Sequence, residues 1–159
     1  MEKIIEKIEE YKLVSEVIPG YIFLWLLQYW CEINIAFENV FQEFIVAFVV
    51  GIIISRIGSL VLSKALRKFK AYKMADYKDY IKASDKDNKI KVILLNANMY
   101  RNLCTSCVLV IIVKIIYLMK LGINVYTWIG MIMISILFLI AFLKEENTIT
   151  KRVNISKDL

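Results

Sequence analysis

The chain has 159 residues, 59% of them hydrophobic and 23% charged, with a formal net charge of +6 and no histidine. A soluble domain runs about 45–50% apolar, and here the charges stand in blocks between long apolar runs, which excludes an ordinary globular domain and indicates a membrane protein. Without histidine the commonest general base and metal ligand is missing, and no GxSxG, Walker or HExxH pattern occurs, so neither an enzyme nor a cofactor is expected.

Residues 1–16 carry five acids and three lysines, with Ile4, Ile8 and Tyr11 on one helical face and Ile5 beside them. This pattern predicts an amphipathic helix rather than a cleaved signal peptide. Pro19-Gly20 punctuates the entry into a first apolar span, Val17 to Phe37, whose one charge is Glu32. The following hairpin has Glu32, Glu38 and Glu43 and no basic residue.

The second span, Phe44 to Ser63, has Arg56 as its single charge. Its thirteen Leu, Ile, Phe and Val residues favour insertion by about 4–8 kcal/mol, against about 2.5–3.5 for a central arginine. The span therefore tolerates Arg56, and the side chain either snorkels to the nearer surface or joins a packed face. That face is marked by Ala47, Gly51, Ser55, Ser59 and Ser63 at every fourth position. Such spacing brings helices into close contact in lipid, so these residues and Arg56 are candidates for helix packing or for lining a pore.

The next segment, residues 64–98, holds ten lysines and arginines. It should extend the second helix through Tyr72, turn near Ser84 to Asn88, and resume as helix from Ile90 to Leu95. The third span, Asn102 to Met119, starts on the polar NLCTSC and contains Lys114, which either snorkels or lines a pore. Being marginal alone, this span argues for a packed bundle. Cys104 and Cys107 read as small residues on one helix face, since neither a βαβ context nor a four-ligand set surrounds them. The fourth span, Leu121 to Leu143, is uncharged, and a basic tail, 144–159, follows.

Short loops rich in lysine and arginine stay in the cytoplasm. By that rule both termini and residues 64–98 face inward and both hairpins outward, with Tyr29, Trp30, Tyr126 and Trp128 at the outer interface. The expected architecture is a single all-α domain, a polytopic membrane protein with four transmembrane helices (17–37, 44–63, 102–119 and 121–143) and a cytoplasmic helical segment between the second and third.

Two charged regions are candidate sites. KALRKFKAYK places Lys64, Arg67, Lys68, Lys70 and Lys73 just inside the membrane, interleaved with Phe69 and Tyr72. It suits anionic headgroups, or a nucleotide or single strand with phosphates on the basic residues and bases on the rings. Glu32, Glu38 and Glu43 are a solvated loop in one chain, but in a symmetric oligomer they would form acidic rings at a pore mouth. A proton-coupled transporter would need an intramembrane carboxylate, for which only Glu32 is placed.

Four stretches together carry a resemblance: VIPGYIFLWL, ISRIGSLV, YKDYIKASDKDNK and NMYRNL. Over Val17 to Leu143 the chain resembles the small four-span bacterial membrane proteins encoded beside nucleotidyltransferases in anti-phage defence loci, typified by the membrane effectors of Hailong systems. The resemblance implies a homotetrameric ion channel in the bacterial inner membrane. A partner nucleotidyltransferase would make DNA oligomers that hold it closed, and their loss on infection would open it and depolarise the cell. It also implies sensing by a cytoplasmic helical region, which directs attention to Arg67, Lys68, Lys70 and Lys73. By charge, the net-acidic N-terminal helix is a poor DNA site. The other reading is a non-conducting membrane anchor or assembly subunit, or a small transporter.

Overall fold

The computed structural model describes residues 2–72, 74–117 and 125–157. They form an all-α structure of five helices: α1 (Glu2–Cys31), α2 (Val40–Lys68), α3 (Tyr77–Lys86), α4 (Lys89–Tyr117) and α5 (Val125–Lys157). Three of these, α2, α4 and α5, are long and apolar enough to cross a membrane. The sequence led us to expect four. Among the described residues α1 does not reach the same standard, because Glu16, Pro19, Gly20 and Gln28 dilute its apolar run.

Helix α1 does not break where Pro19-Gly20 suggested a boundary. Pro19 lies inside it and is fully buried, so the expected N-terminal helix and first span are one rod. The rod ends at Cys31, and residues 32–37 of the expected span leave the helix. There Glu32 adopts the left-handed conformation at φ 56°, and the Ile33 N–H closes onto the Leu27 carbonyl at 3.2 Å. The Ile4, Ile5 and Ile8 face lies outside the described side chains.

Helix α2 starts on a reciprocal cap. The Asn39 side chain accepts the Gln42 N–H at 2.8 Å, and the Gln42 side chain accepts the Glu38 N–H at 2.9 Å, satisfying donors that a helix start leaves open. Near its other end the helix widens into a π turn, Gly58–Leu62, in which the Ser63 N–H reaches back to the Gly58 carbonyl. It stops at Lys68, short of the expected Tyr72, because Lys70 turns left-handed at φ 54°. The N–H groups of Lys70 and Ala71 then close onto the Arg67 and Leu66 carbonyls, both at 3.0 Å, a Schellman stop.

Asp76 caps α3 by accepting the Lys78 N–H at 3.0 Å, and Asp87 caps α4 by accepting that of Lys89 at 2.9 Å. The turn between them, at Asp87 and Asn88, falls where the sequence placed it. Helix α5 continues through the expected tail to Lys157. The expected turn at Lys120 and the adjoining ends of the third and fourth spans, 118–119 and 121–124, lie outside the described residues.

Helix α4 is the central element, packed on α1, α2 and α5, and residues 102–107 on it are buried all round. One apolar cluster holds the end of the bundle that carries α3: Tyr72, Ala83, Ile90, Ala97, Phe142, Ile149 and Val153. A second holds the opposite end: Trp30, Cys31, Cys107, Val110 and Met131. In this second cluster Trp30 meets Trp128 edge-on at 5.3 Å, while Tyr29 and Tyr126 stay exposed. Helix α5 exposes Ile132, Met133, Ile136, Leu137 and Ile140, as a span bordering lipid would.

Helices α1 and α2 touch backbone to backbone. A Cβ at Gly20 would collide with the Ala47 carbonyl and come within 2.9 Å of the Gly51 nitrogen, and one at Gly51 would collide with the Glu16 carbonyl. Gly130 on α5, by contrast, has no neighbour within 4 Å of such an atom. Gly20→Ala should therefore destabilise the protein by about 1–3 kcal/mol through overpacking. Gly130→Ala should be neutral or stabilising by up to about 1 kcal/mol, since glycine is a poor helix former. Thermal unfolding in detergent compares the two, and equal effects would refute the close contact.

Candidate functional site

The residues with chemistry converge on α4 and on the end of the bundle where α2 stops. The first feature is a backbone one. Proline has no N–H to give the carbonyl four residues before it, so Pro19 leaves the Ser15 carbonyl of α1 without its helical donor. Asn102 of α4 supplies one, its side-chain amide donating to that carbonyl at 3.4 Å. One turn on, the Ser106 hydroxyl lies 3.1 Å from the Pro19 carbonyl and 3.0 Å from the Asn102 carbonyl. The polar start of the third expected span thus serves the proline of the first. Cys104 and Cys107 are free and buried beside it, and the Cys104 thiol donates to the Ser135 carbonyl at 3.5 Å.

The second feature is a charge inside the bundle. The Nε of Arg101 is buried and has no hydrogen-bond partner, while its Nη2 donates to the Asn102 side chain at 3.3 Å. Glu146 of α5 and the phenol of Tyr72 are the groups that act on it electrostatically. Gly58, the first residue of the π turn, makes room for it: a Cβ there would lie 2.7 Å from Thr105 Oγ1 and 3.4 Å from Arg101 Nε. Glu146 also lines a cavity of about 240 Å³ with Met74, Tyr77, Tyr80, Leu94 and Ile149.

Tyr72 closes this region, with its ring edge-on to Phe142 at 5.6 Å and its hydroxyl within reach of the Ser63 side chain. Burial pushes the phenols of Tyr72 and Tyr80 up, with Glu146 adding to the shift in each, so both stay protonated at neutral pH. A Tyr72 ring held in this way is not on the surface to stack on a base.

The predicted site residues separate. Ala47, Gly51 and Ser63 are buried, Ser55 is half-buried, and Arg56 and Ser59 are exposed. A strict four-residue repeat drifts by roughly 40° per step on a 3.6-residue helix, which carries Ser59 off the face that Ala47 and Gly51 bury. Ile54 and Gly58 take its place on that face, and the extra residue of the π turn brings Ser63 back. Lys64, Arg67, Lys68 and Lys70 are exposed, and Lys73 lies outside the described residues. Glu32 and Glu38 are exposed and Glu43 is half-buried. Lys114 turns onto α1: its ammonium donates to the Trp30 carbonyl and lies 5.7 Å from the Trp30 ring centre, a cation at a helix C-terminus.

Sequence reasoning missed Asn102, Arg101 and Glu146. The signal for Glu146 was present: Phe142, Glu146, Ile149 and Val153 recur at helical spacing on one face of α5, past the point where the apolar run ends. Comparison with known proteins finds no match: no family model, no curated protein and no solved structure is similar to the chain.

Two measurements test this arrangement. Asn102→Leu should lower stability by about 1–3 kcal/mol by removing the buried amide that donates to the Ser15 carbonyl. In a Pro19→Ala background, where α1 regains its own donor, the loss should fall below half. Equal losses in both backgrounds would remove Asn102 from this role. Asp87 also carries an ion pair, accepting from Arg152 at 2.8 Å. Its carboxyl is held below the usual range, first by the Lys89 N–H and then by Arg152. A depressed carboxyl stabilises the fold above its ordinary pKa, about 3.9, and loses that contribution as pH falls through the lower folded value. Asp87→Asn should flatten the acid limb of a stability–pH profile below about pH 4, and an unchanged limb would contradict the assignment.

Proposed function

We propose that the chain is one subunit of an oligomeric, ligand-gated ion channel in a bacterial inner membrane, acting as a depolarising effector of anti-phage defence. In this reading α1 joins α2, α4 and α5 as a fourth span, both termini are cytoplasmic, and α3 belongs to the cytoplasmic segment between the second and third spans.

The observation that carries the reading is Arg56. It stands on the longest apolar stretch of α2 and is exposed, with Ser55 half-buried and Ser59 exposed beside it. An arginine directed at hydrocarbon costs about 2.5–3.5 kcal/mol at the centre of a span and less nearer its end, where it can snorkel. A second copy or a water-filled path against this face would solvate it. Oligomerisation would also repeat Glu32 and Glu38 as acidic rings at the outer end, which favour cations. The resemblance supplies the finer content: four copies, closure by nucleic-acid oligomers from a partner nucleotidyltransferase, and opening when they are lost.

Expressed without partner genes, the chain should depolarise bacteria, as read by a potential-sensitive dye. Arg56→Ala should reduce that response several-fold, and the mass in detergent should be that of four chains. A normal membrane potential in expressing cells, with Arg56→Ala indistinguishable from wild type, would reject the channel in favour of a non-conducting anchor or assembly subunit.

A further inference from the structure

The turn after α2 has its own surface chemistry. Phe69 is 79% exposed, Met74 59% and Tyr77 75%. Arg67, Lys68 and Lys70 are exposed next to them. The single acid in the stretch, Asp76, is engaged in capping α3. The apolar run of α2 ends at Ser63, and Phe69 lies six residues further, about 9 Å at 1.5 Å per residue. The headgroup zone is about 5–8 Å deep on each side of the hydrocarbon, so Phe69 falls at its edge if α2 spans the bilayer.

We propose that this turn is a lipid-docking surface for the inner leaflet. Phe69, Met74 and Tyr77 enter the interfacial zone, and Arg67, Lys68 and Lys70 bind the phosphates of anionic headgroups. Aromatic and long apolar side chains settle at this depth, and juxtamembrane cations gain from anionic lipid. The partner class follows from where the rings are. A single-strand platform needs bases stacked between closely interleaved rings and cations, and the ring that would supply that interleaving, Tyr72, is buried against Phe142. The rings left exposed, Phe69 and Tyr77, stand on either side of the turn, apart from one another in sequence. The left-handed Lys70 sets the geometry, ending α2 so that Phe69 points out while Tyr72 turns in. This inference rests on α2 crossing the bilayer, and the test separates the two.

The full-length chain is reconstituted in phosphatidylcholine vesicles with and without phosphatidylglycerol. Nitroxides are placed at Phe69→Cys, Tyr77→Cys and, as a depth control, Leu60→Cys on the exposed side of α2. The native cysteines are buried, and wild-type protein serves as the labelling control. The Leu60 label should be in hydrocarbon in both lipids. The labels at 69 and 77 should move from water to the headgroup boundary when phosphatidylglycerol is present. Neutralising each of Arg67, Lys68 and Lys70 to Gln should weaken that dependence about fivefold. A Leu60 label in water would overturn the spanning reading itself. With Leu60 in lipid, labels at 69 and 77 that stay in water, or that sit at the boundary regardless of lipid charge, would overturn the docking surface alone. Withdrawal of the labels by single-stranded DNA, independent of lipid composition, would assign the turn to nucleic acid and overturn it as well.

Discussion

The fold depends on how a buried backbone carbonyl is satisfied. Pro19 is fully enclosed, and the Ser15 carbonyl, which takes no helical N–H from it, accepts from α4. In an apolar bundle an unsatisfied carbonyl is costly, and in lipid there is no solvent to relieve it. The side-chain amide of Asn102 answers it directly, and the Ser106 hydroxyl lies 3.1 Å from the Pro19 carbonyl. These two bonds fix the depth and rotation of α4 against α1. They also explain why a helix of this length carries its most polar stretch in its most buried position: Asn102, Thr105 and Ser106 face other helices.

Once α1 and α4 are registered, α2 has little freedom. Gly20 and Gly51 allow α1 and α2 to approach until backbone meets backbone, with Ala47 completing the contact. Further along, α2 must pass Arg101 and Thr105 on α4. Gly58 removes the side chain that would block it, and the π turn adds the residue needed to return Ser63 to the buried side. Backbone approach through small residues is how helices associate where no hydrophobic drive separates protein from lipid. The wider turn occurs where two such contacts, one on α1 and one on α4, are out of step with a 3.6-residue helix.

Much of this was legible in the chain and some was not, for definable reasons. The apolar runs that become α2, α4 and α5 are plain because length and composition suffice to recognise them. The α3 segment was readable from its turn at Asp87 and Asn88. Pro19-Gly20 was misread as a boundary, since local rules assign proline to helix starts and stops and the amide that rescues it lies 83 positions away, at Asn102. Burial along the small-residue ladder is uneven. Ala47, Gly51 and Ser63 pack, but a four-residue repeat taken literally ignores helical drift, and a π turn leaves no composition signal. Arg101 and Glu146 were passed over because each stands just beyond an apolar run, where charge is ordinarily solvated.

These constraints give the end of the bundle carrying α3 two kinds of connection. Asp87 caps α4 and pairs with Arg152 of α5, so the α3–α4 junction is tied to α5 by charge. The turn after α2 is tied by Tyr72, whose ring packs on Phe142 of α5 and whose hydroxyl approaches Ser63 beside the π turn. Tyr72 therefore links an exposed turn to the segment of α2 with the weakest helical geometry and to the helix that carries Glu146. The contacts of that turn run through Tyr72 to Ser63 beside the π turn, and Gly58 within the π turn lies against Thr105 and Arg101 of α4.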